Sequence, residues 1–574
     1  MRRGRRWAIA AGAALVLLVA WGAWGYRSVQ EARKDVDEGL ALLEAFREEA
    51  TLESLLAGGG HEALDEAAAA FARASDKVSN PGFGPLKVLP VLGTQLRSVD
   101  ALTSAAEETT RAGARALSRV QDLTKGPTPD GDERAELLFQ LAEVSEDAHE
   151  ALQDVRLGPR YGLLSSLERA RARFERELEE ARNVTETVVE VTRRLGRLLS
   201  NERRYLLLAA HNGEMRNGAG APVSFGVLAV EGGRFSLESI NATRLLPPPD
   251  PVPELGDYGE VWGRFDPNRS WTTVNVSPRF PAVASLAARM VETATGDTVD
   301  GVVMVDPVGL ASFLRATGPV EVEGRPIDGD SAVRFVLHDQ YVGAEGELAE
   351  LSERRLANLA GAAMARLGEP IELARLARAM VDAVEGRHVL VWSPEDVDGP
   401  LWEAAGVTGA LEPRSLALGV LNQGGGDKLD QLLPVRAALD ATPLDPDRSR
   451  VTLRVELANE ATGREPSGVL RPAPGDDDPA AYTGTLALLL PQDADRVEVT
   501  EGRAAFQGTD RGAPVVGFDV RLAPGASTTV ELTWEGAPTV RVEPSARIPR
   551  VEWTAPGQTW RDDHPVTVRF GAAG

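Results

Sequence analysis

The chain has 574 residues, too many for one core and enough for roughly three or four units of about 100–200 residues each. Apolar residues make up 43% and charged residues 26% of it, a foldable composition and not a disordered one. With 62 basic against 86 acidic residues the net charge is −24, which excludes general nucleic-acid binding, since phosphates would be repelled. The absence of cysteine removes disulfides, thiol catalysis and Cys-ligated zinc.

Residues 1–6 (MRRGRR) form a basic tail, and Trp7 to Gly25 is an uncharged run of nineteen residues. At about 1.5 Å per residue such a run reaches roughly 28 Å, enough to cross a hydrocarbon core. Trp7, Trp21 and Trp24 fall near its ends, where amphipathic rings prefer the interface. The expectation is a transmembrane helix over 7–25, with the basic tail in the cytoplasm and the bulk of a single-pass protein outside it. A cleaved signal peptide is the alternative, with Ala20-Trp21-Gly22 as a poor cleavage site.

From 26 to 199 the pattern is helical. Leu167, Ala170, Phe174, Leu178, Ala181, Val188, Val191, Leu195 and Leu198 recur at threes, fours and sevens, one face of an amphipathic helix. Breaks at Gly58-Gly59-Gly60, Asn80-Pro81-Gly82 and 125–131 divide the segment into about five antiparallel helices of a bundle or stalk. The apolar, Pro-rich stretch 81–93 (PGFGPLKVLPVLG) reads as a structured elbow between helices, with a membrane-resting segment as the other reading.

Between 200 and 440 short strand-like runs alternate with helices. Arg204 to Ala210 and Val223 to Val230 read as strands, and Gly232-Gly233 as the turn of a hairpin to Phe235–Ile240. Helices are expected over 281–293, 307–316, 347–367 and 370–383, and a central strand over 299–305. This alternation implies a mixed three-layer α/β domain.

Three blocks carry a resemblance: RYLLLAAHNGEMRNGAGAPVSFGVLAVEGGRFSLESINATRLL, the W…N-x-SPRFP block, and VDGVVMVDPVGLASFLRATGPVEV. With the upstream PLKVLPVLGTQL they resemble the bacterial membrane-anchored family catalogued as domain of unknown function 4012 (DUF4012), over roughly 200–440. That family implies location and architecture but no reaction. A more distant likeness is to the LytR-CpsA-Psr family, extracytoplasmic enzymes that transfer glycopolymers from a lipid pyrophosphate carrier to the cell wall. By motif, Arg216 matches the first arginine of that family's site, Arg244 the one after its Ser-Ile strand, and Arg354 or Arg355 the later helical pair. A guanidinium fork grips pyrophosphate oxygens bidentately and stays charged. The chain departs from the pattern at Gly218 and Leu245, where the family places acidic residues that would hold a divalent ion.

The candidate ligand-binding residues are therefore Arg216, Arg244, Arg354, Arg355, Asn275 and Trp271. Arg216 lies in the Gly-rich stretch 212–220, where backbone N–H groups could cradle an anion; a local Glu partner is the plainer reading. Trp271, Asn275 and Ser277 lead into a helix, so Ser277 is also a candidate N-cap and Trp271 a core lid. Asp306 before Pro307 reads as a helix cap and as a stand-in carboxylate for a metal. No catalytic residue and no metal ligand set is assigned: the six histidines show no ligand spacing, and only His211 adjoins the Gly-rich stretch. Asn422 to Lys428 (NQGGGDK) reads as a connection.

Beyond 445 the period becomes two, in six or seven runs from Val451 to Phe570, which implies an immunoglobulin-like β-sandwich over 445–574. The fold class expected is thus multidomain α+β: transmembrane helix, helical stalk, LytR-CpsA-Psr-like α/β domain, β-sandwich. The expected function is an envelope protein that binds or scaffolds cell-wall or lipid-linked glycopolymer through an arginine-lined anion pocket. A phosphotransferase acting on a polyprenyl pyrophosphate carrier and a ligand-free assembly protein are the alternatives. No cofactor is expected, with Mg²⁺ implied only for the enzyme; the partners expected are the membrane, through the N-terminal helix, and the polyprenyl lipid or glycopolymer.

Overall fold

A computed structural model describes residues 27–28, 30–47, 59–89, 92–125, 129–247, 252, 255, 257–342, 348–366, 373–475 and 477–570. The chain divides into two compact units, one of 1–128 with 133–196 and the other of 129–132 with 197–574.

The first unit is helical throughout its described elements. After a helical stretch over 30–47 come α1 (His61–Ser79), α2 (Leu92–Thr124), α3 (Asp132–Gln153) and α4 (Ser165–Ser200). Helix α1 buries Ala67, Ala70, Phe71, Ala74 and Val78, the spacing that puts one apolar stripe on one face. Its alanines let neighbouring backbones approach, and Ala74 and Val78 pack with Ala32, Val36 and Val99. A second cluster joins Ala105, Leu152, Val155 and Leu178. On α4 the expected stripe is buried at Leu178 and Leu198, whereas Val188, expected in the same row, is exposed. The 81–93 stretch forms a 3-10 turn (Pro81–Phe83) and a short helix (Gly84–Lys87) with Phe83 buried beneath it.

The expected fold class is corrected in one respect. Among the described residues no helix is long and apolar enough to cross a membrane, and the basic tail and the Trp7–Gly25 run lie outside the described residues.

The second unit opens with a five-stranded sheet ordered β3-β2-β1-β4-β7, built from β1 (Arg203–Met215), β2 (Gly220–Glu231), β3 (Arg234–Ala242), β4 (Gly301–Val305) and β7 (Val389–Trp392). Strand β4 runs parallel to β1, while β2, β3 and β7 pair antiparallel with their neighbours. The β2–β3 hairpin turns at Gly232 and Gly233, both with positive φ (53° and 70°), as a two-residue turn between right-twisted strands requires. One face of the sheet, through Leu206 and Leu208, packs on Phe280, Val283, Leu286, Ala287 and Met290 of α6 (Phe280–Thr295), which follows the short α5 (Asp257–Trp262). The other face looks toward α7 (Pro307–Thr317), α9 (Leu348–Ala365) and α10 (Leu373–Glu385). Between α7 and α9 lie a small hairpin, β5 (Val320–Val322) with β6 (Arg325–Ile327), and the short α8 (Ala332–Leu337). The result is a three-layer α/β arrangement.

Two six-stranded sheets follow, ordered β12-β15-β10-β9-β17-β18 and β13-β14-β11-β8-β16-β19. Their strands begin at β8 (Ser415–Asn422) and β9 (Val435–Asp445) and continue through β10 (Arg448–Ala458), β11 (Tyr482–Leu489), β12 (Asp495–Glu501), β13 (Phe506–Asp510), β14 (Ala513–Leu522), β15 (Ser527–Gly536), β16 (Thr539–Val542), β17 (Glu552–Ala555), β18 (Gln558–Arg561) and β19 (Val566–Arg569). Strand β10 alternates as its sequence predicts, with Val451, Leu453, Val455 and Leu457 facing the inter-sheet core. The sandwich therefore starts earlier than residue 445, and its parallel pairs β8/β16 and β9/β17 depart from the all-antiparallel immunoglobulin-like pattern.

Strand β8 explains the early start. All eight of its residues are buried: Leu416, Leu418 and Val420 enter the sandwich core, while Ala417 and Leu421 enter the core of the α/β layers. The sheet containing β8 is thus a layer shared by both cores, and Ala487, Leu489, Ala513 and Val515 join it on the α/β side.

A candidate anion recess beside an apolar cavity

Strand β1 carries the first site residues. Its pairing with β2 shifts register between Ala209 and Ala210 and again between His211 and Met215, bulges that re-aim side chains at the strand's end. Arg216 N–H donates to Ala219 O at 2.7 Å and closes the turn. Gly220 lies so close to the bulge that a Cβ there would stand 2.1 Å from the His211 carbonyl carbon. The 212–220 stretch, expected as a Gly-rich loop, is therefore buried strand and tight turn.

Glu214, on this stretch, accepts from Arg216 Nη2 at 2.9 Å through Oε1 and from Lys428 Nζ at 2.6 Å through Oε2. Burial pushes the Glu214 carboxyl up, but Lys428 and Arg216 outweigh it and hold it at about 2. Burial alone would lower the Lys428 ammonium; Glu214 more than offsets this and the net direction is upward. The remaining contacts of Arg216 are backbone carbonyls, Thr272 O from Nε at 2.9 Å and Met215 O from Nη1 at 2.8 Å.

Lys428 is held by the turn after β8. Its N–H donates to Val469 O at 2.8 Å, and Asp427 Oδ1 accepts from Leu429 N at 3.0 Å and Asn422 Nδ2 at 2.8 Å. Asp430 binds the turn to β1 by accepting from Met215 N at 2.9 Å, while Asn422, Tyr482 and Arg547 also donate to it. His211 Nδ1 accepts from Gly213 N at 3.2 Å, leaving Nε2 to face Val336 O at 3.1 Å and the Tyr341 hydroxyl at 3.0 Å. Burial first, and then Lys428, lower this imidazole to about 3, so it is neutral at physiological pH.

Of these groups His211, Glu214, Arg216, Tyr341, Asn422 and Lys428 line a recess of about 810 Å³ that also receives Arg244 and Arg471. Both of these are exposed; Arg244 sits on the 3-10 turn Thr243–Leu245, and Arg471 Nη1 donates to Gly425 O at 3.2 Å. Among the described residues four cationic side chains, Arg216, Arg244, Lys428 and Arg471, meet one lining carboxylate, Glu214. In a chain of net charge −24 this is a local inversion of sign, and it focuses a positive potential into the recess.

A second cavity, of about 240 Å³, lies between the sheet and the helices α7, α9 and α10. Its walls are mostly apolar and include Leu207, Val303, Phe313, Leu359, Ala363 and Met380. His211, Val223, Ser224 and Leu356 line both spaces, so the cationic recess and the apolar cavity adjoin.

The structure brings Arg216 and Arg244 to one recess and places the other expected residues elsewhere. Arg354 is exposed on α9 and does not line the recess. Arg355 is spent on Glu323, at 3.0 Å, and on Gln340 O, at 2.7 Å; its neighbours Ser352 and Leu356 face the recess instead. Asn275 is a buried clamp, donating to Gly220 O at 2.8 Å and accepting from Gly218 N at 3.2 Å on its own carbonyl. Trp271 is a core residue whose Nε1 donates to Pro247 O at 3.1 Å. Ser277 does not cap α6; its hydroxyl donates to Asp510 at 2.9 Å. Asp306 does cap α7, accepting from Val308 N and Gly309 N, and its other oxygen faces His388 and Asn212. Glu214 is the local Glu partner that the sequence offers for Arg216, whereas nothing local in the sequence marks Tyr341 or Arg471. The one sequence signal for Lys428 is its place at the end of the Gly-rich run 422–428.

Fold and site together define a mixed-sheet α/β domain backed by a β-sandwich and bearing a cationic recess next to an apolar cavity. Residues 200–341 of the chain match the model of the family described as protein of unknown function (DUF4012), the family that the sequence blocks resemble. The matched span holds Glu214, Arg216 and Arg244 and stops short of Lys428 and Arg471. No curated protein and no solved structure matches the chain, and the LytR-CpsA-Psr likeness is not shown by these comparisons.

Proposed function

We propose that this protein binds an amphiphile with an anionic head, of the class of polyprenyl phosphates and their glycan-linked forms, and holds it without turning it over. The observation that carries the reading is the adjacency of the two spaces across His211, Val223, Ser224 and Leu356. A phosphate group would meet Arg244 and Arg471 at the mouth and Arg216 and Lys428 deeper in, where charge-assisted hydrogen bonds are strongest. A branched hydrocarbon tail would enter the apolar cavity, a pairing typical of ligand sites in which few polar groups orient a mostly apolar ligand. Work on lipid-linked glycopolymer in the cell envelope, outside the cytoplasm, belongs to the same reading and rests on the sequence resemblance.

Binding is favoured over phosphotransfer by the state of Glu214. It is the one carboxylate lining the recess among the described residues, and Arg216 and Lys428 already engage both its oxygens. A carboxylate so engaged and held ionised is a poor general base.

The test is binding of undecaprenyl phosphate, in detergent, to the full chain, with undecaprenol as the neutral comparison. The phosphate is expected to bind tighter than the alcohol, Arg244→Ala to erase most of that difference, and Ala360→Trp, which fills the apolar cavity, to weaken both ligands. Equal affinity for phosphate and alcohol, or affinity untouched by both substitutions, overturns the reading.

A further inference from the structure

A different part of the molecule carries a second kind of contact. Twelve large apolar side chains are exposed among the described residues, and five of them, Val88, Leu89, Leu92, Tyr161 and Leu164, belong to two connections of the helical unit. One is the elbow leading into α2, the other the segment 155–164 between α3 and α4. The Gln95 side chain ties them together, donating through Nε2 to Gly162 O at 2.6 Å and accepting from Leu164 N at 3.0 Å through Oε1. Both connections therefore share one end of the unit. Val88 at 82% and Tyr161 at 83% exposure stand off the surface instead of lining a groove.

The charge of this end is opposite to that of the chain. Residues 81–97 and 155–164 contain Lys87, Arg97, Arg156 and Arg160 and no aspartate or glutamate. Lys87 pairs with Asp100 at 2.7 Å, and Arg97 donates to the Lys87 carbonyl and to Thr94. Arg156 and Arg160 are exposed, with Asp154 and Glu168 the nearest acidic residues along the chain. Protruding apolar tips, one of them a tyrosine, with arginines beside them and no acid within either connection, are the features of a surface that enters the headgroup region of an anionic bilayer.

We infer that the helical unit docks on an anionic lipid bilayer through these paired connections, with Val88, Leu92, Tyr161 and Leu164 entering the interface and Arg156 and Arg160 meeting lipid phosphates. A groove or pocket is the usual complement of a protein ligand; side chains standing this far out suit a fluid layer that closes around them. The inference is independent of the anion recess.

The chain has no cysteine, so Val88→Cys carries a single environment-sensitive fluorophore in the full-length protein, and Arg503→Cys, exposed on the sandwich, carries the comparison label. With phosphatidylcholine vesicles containing phosphatidylglycerol, the label at 88 is expected to shift to the blue and to be quenched by spin-labelled lipid, while the label at 503 does neither. Arg156→Glu with Arg160→Glu is expected to raise the lipid concentration needed on the order of tenfold or more. The label at 88 is local, so membrane binding by another segment does not mimic the shift. An unshifted label, a shift equal on neutral vesicles and indifferent to the arginines, or a shift that follows protein concentration without vesicles overturns the inference, the last pointing to a second copy of the chain.

Discussion

The ammonium of Lys428 lies 2.6 Å from Oε2 of Glu214, and that pair couples the end of strand β1 to the turn that leaves strand β8. It places a buried cation of the sandwich against a buried carboxylate of the α/β layers, on the floor of the recess. Because Arg216 engages the other oxygen, one carboxylate serves two cations.

Removing that carboxylate leaves both cations buried without a counter-charge. Glu214→Gln is expected to cost about 3–5 kcal/mol, the usual penalty for breaking a buried pair from one side, read as a lower urea midpoint at pH 7 with an unchanged denaturant slope. Acid acts on the same contact. The Glu214 carboxyl falls from 4.5 to about 2 on folding, so its contribution is full above pH 4.5 and is lost as the pH falls toward 2. His211 falls from 6.5 to about 3. The unfolded chain therefore binds its proton first, and stability drops as the pH falls from 6.5 toward 3.

Asp427 works in the opposite sense. Burial is the main reason its carboxyl is raised from 3.8 to about 6, and among the described residues its Oδ2 has no hydrogen-bond partner. Folding therefore favours the protonated form, a contribution present below pH 3.8 and lost as the pH rises through 6. Asp427→Asn, which keeps Oδ1 for Leu429 N and Asn422, is expected to be more stable than the parent by about 1 kcal/mol at pH 7.5, a fraction of the cost of ionising the buried acid. It should also steepen the loss of stability between pH 6 and 4, where the Asp427 contribution otherwise opposes that of His211. Urea titrations of parent and variant across that range check both signs.

How much of this was legible depends on where each residue's partners lie. The Gly232-Gly233 turn and the alternation of β10 are written locally, in φ preference and a period of two, and both are found as read. Strand β8 is not legible in the sequence because a strand buried on both faces has no alternation to see; Leu418 and Ala417 serve different cores. Arg216 was visible beside its own Glu214, but Lys428 sits 214 positions further on, and no local pattern announces such a meeting. Arg355 had a motif to recommend it and lost its role to Glu323, a partner that only the packing of α9 supplies.

Gly419 allows the recess to close. It lies in β8 under the turn that follows β1, and a Cβ there would stand 2.1 Å from Asn217 Oδ1 and 2.8 Å from the Asn217 Cα. The second contact is with backbone, so rotating a side chain does not relieve it. Gly419→Ala is expected to cost about 1–3 kcal/mol by overpacking and to push the Arg216 turn outward, weakening undecaprenyl phosphate binding beyond what lost stability explains. Thermal melts and binding isotherms at a temperature where the variant is fully folded separate the two effects.

Asp510 is a second tie between the shared layer and the α/β layers. At the end of β13 it is buried, and its Oδ2 accepts from Trp262 Nε1 and Ser277 Oγ, each at 2.9 Å, while Oδ1 lies 3.2 Å from Arg279 Nε. Burial lowers the Arg279 guanidinium and Asp510 works against that, so removal of the carboxylate strands a buried cation as well as two donors. Asp510→Ala is expected to cost about 3–5 kcal/mol and Ser277→Ala about 1–2 kcal/mol, the worth of one hydrogen bond to a charged group. The two share a bond, so the double variant should lose less than the sum of the singles by about 1 kcal/mol. Since β8 and Asp510 bind the α/β layers to the sandwich at separate points, residues 197–574 should still unfold in one transition in either single variant. Separate melting of the two cores in Asp510→Ala would mean that this carboxylate, and not the shared strand, is what makes them one cooperative body.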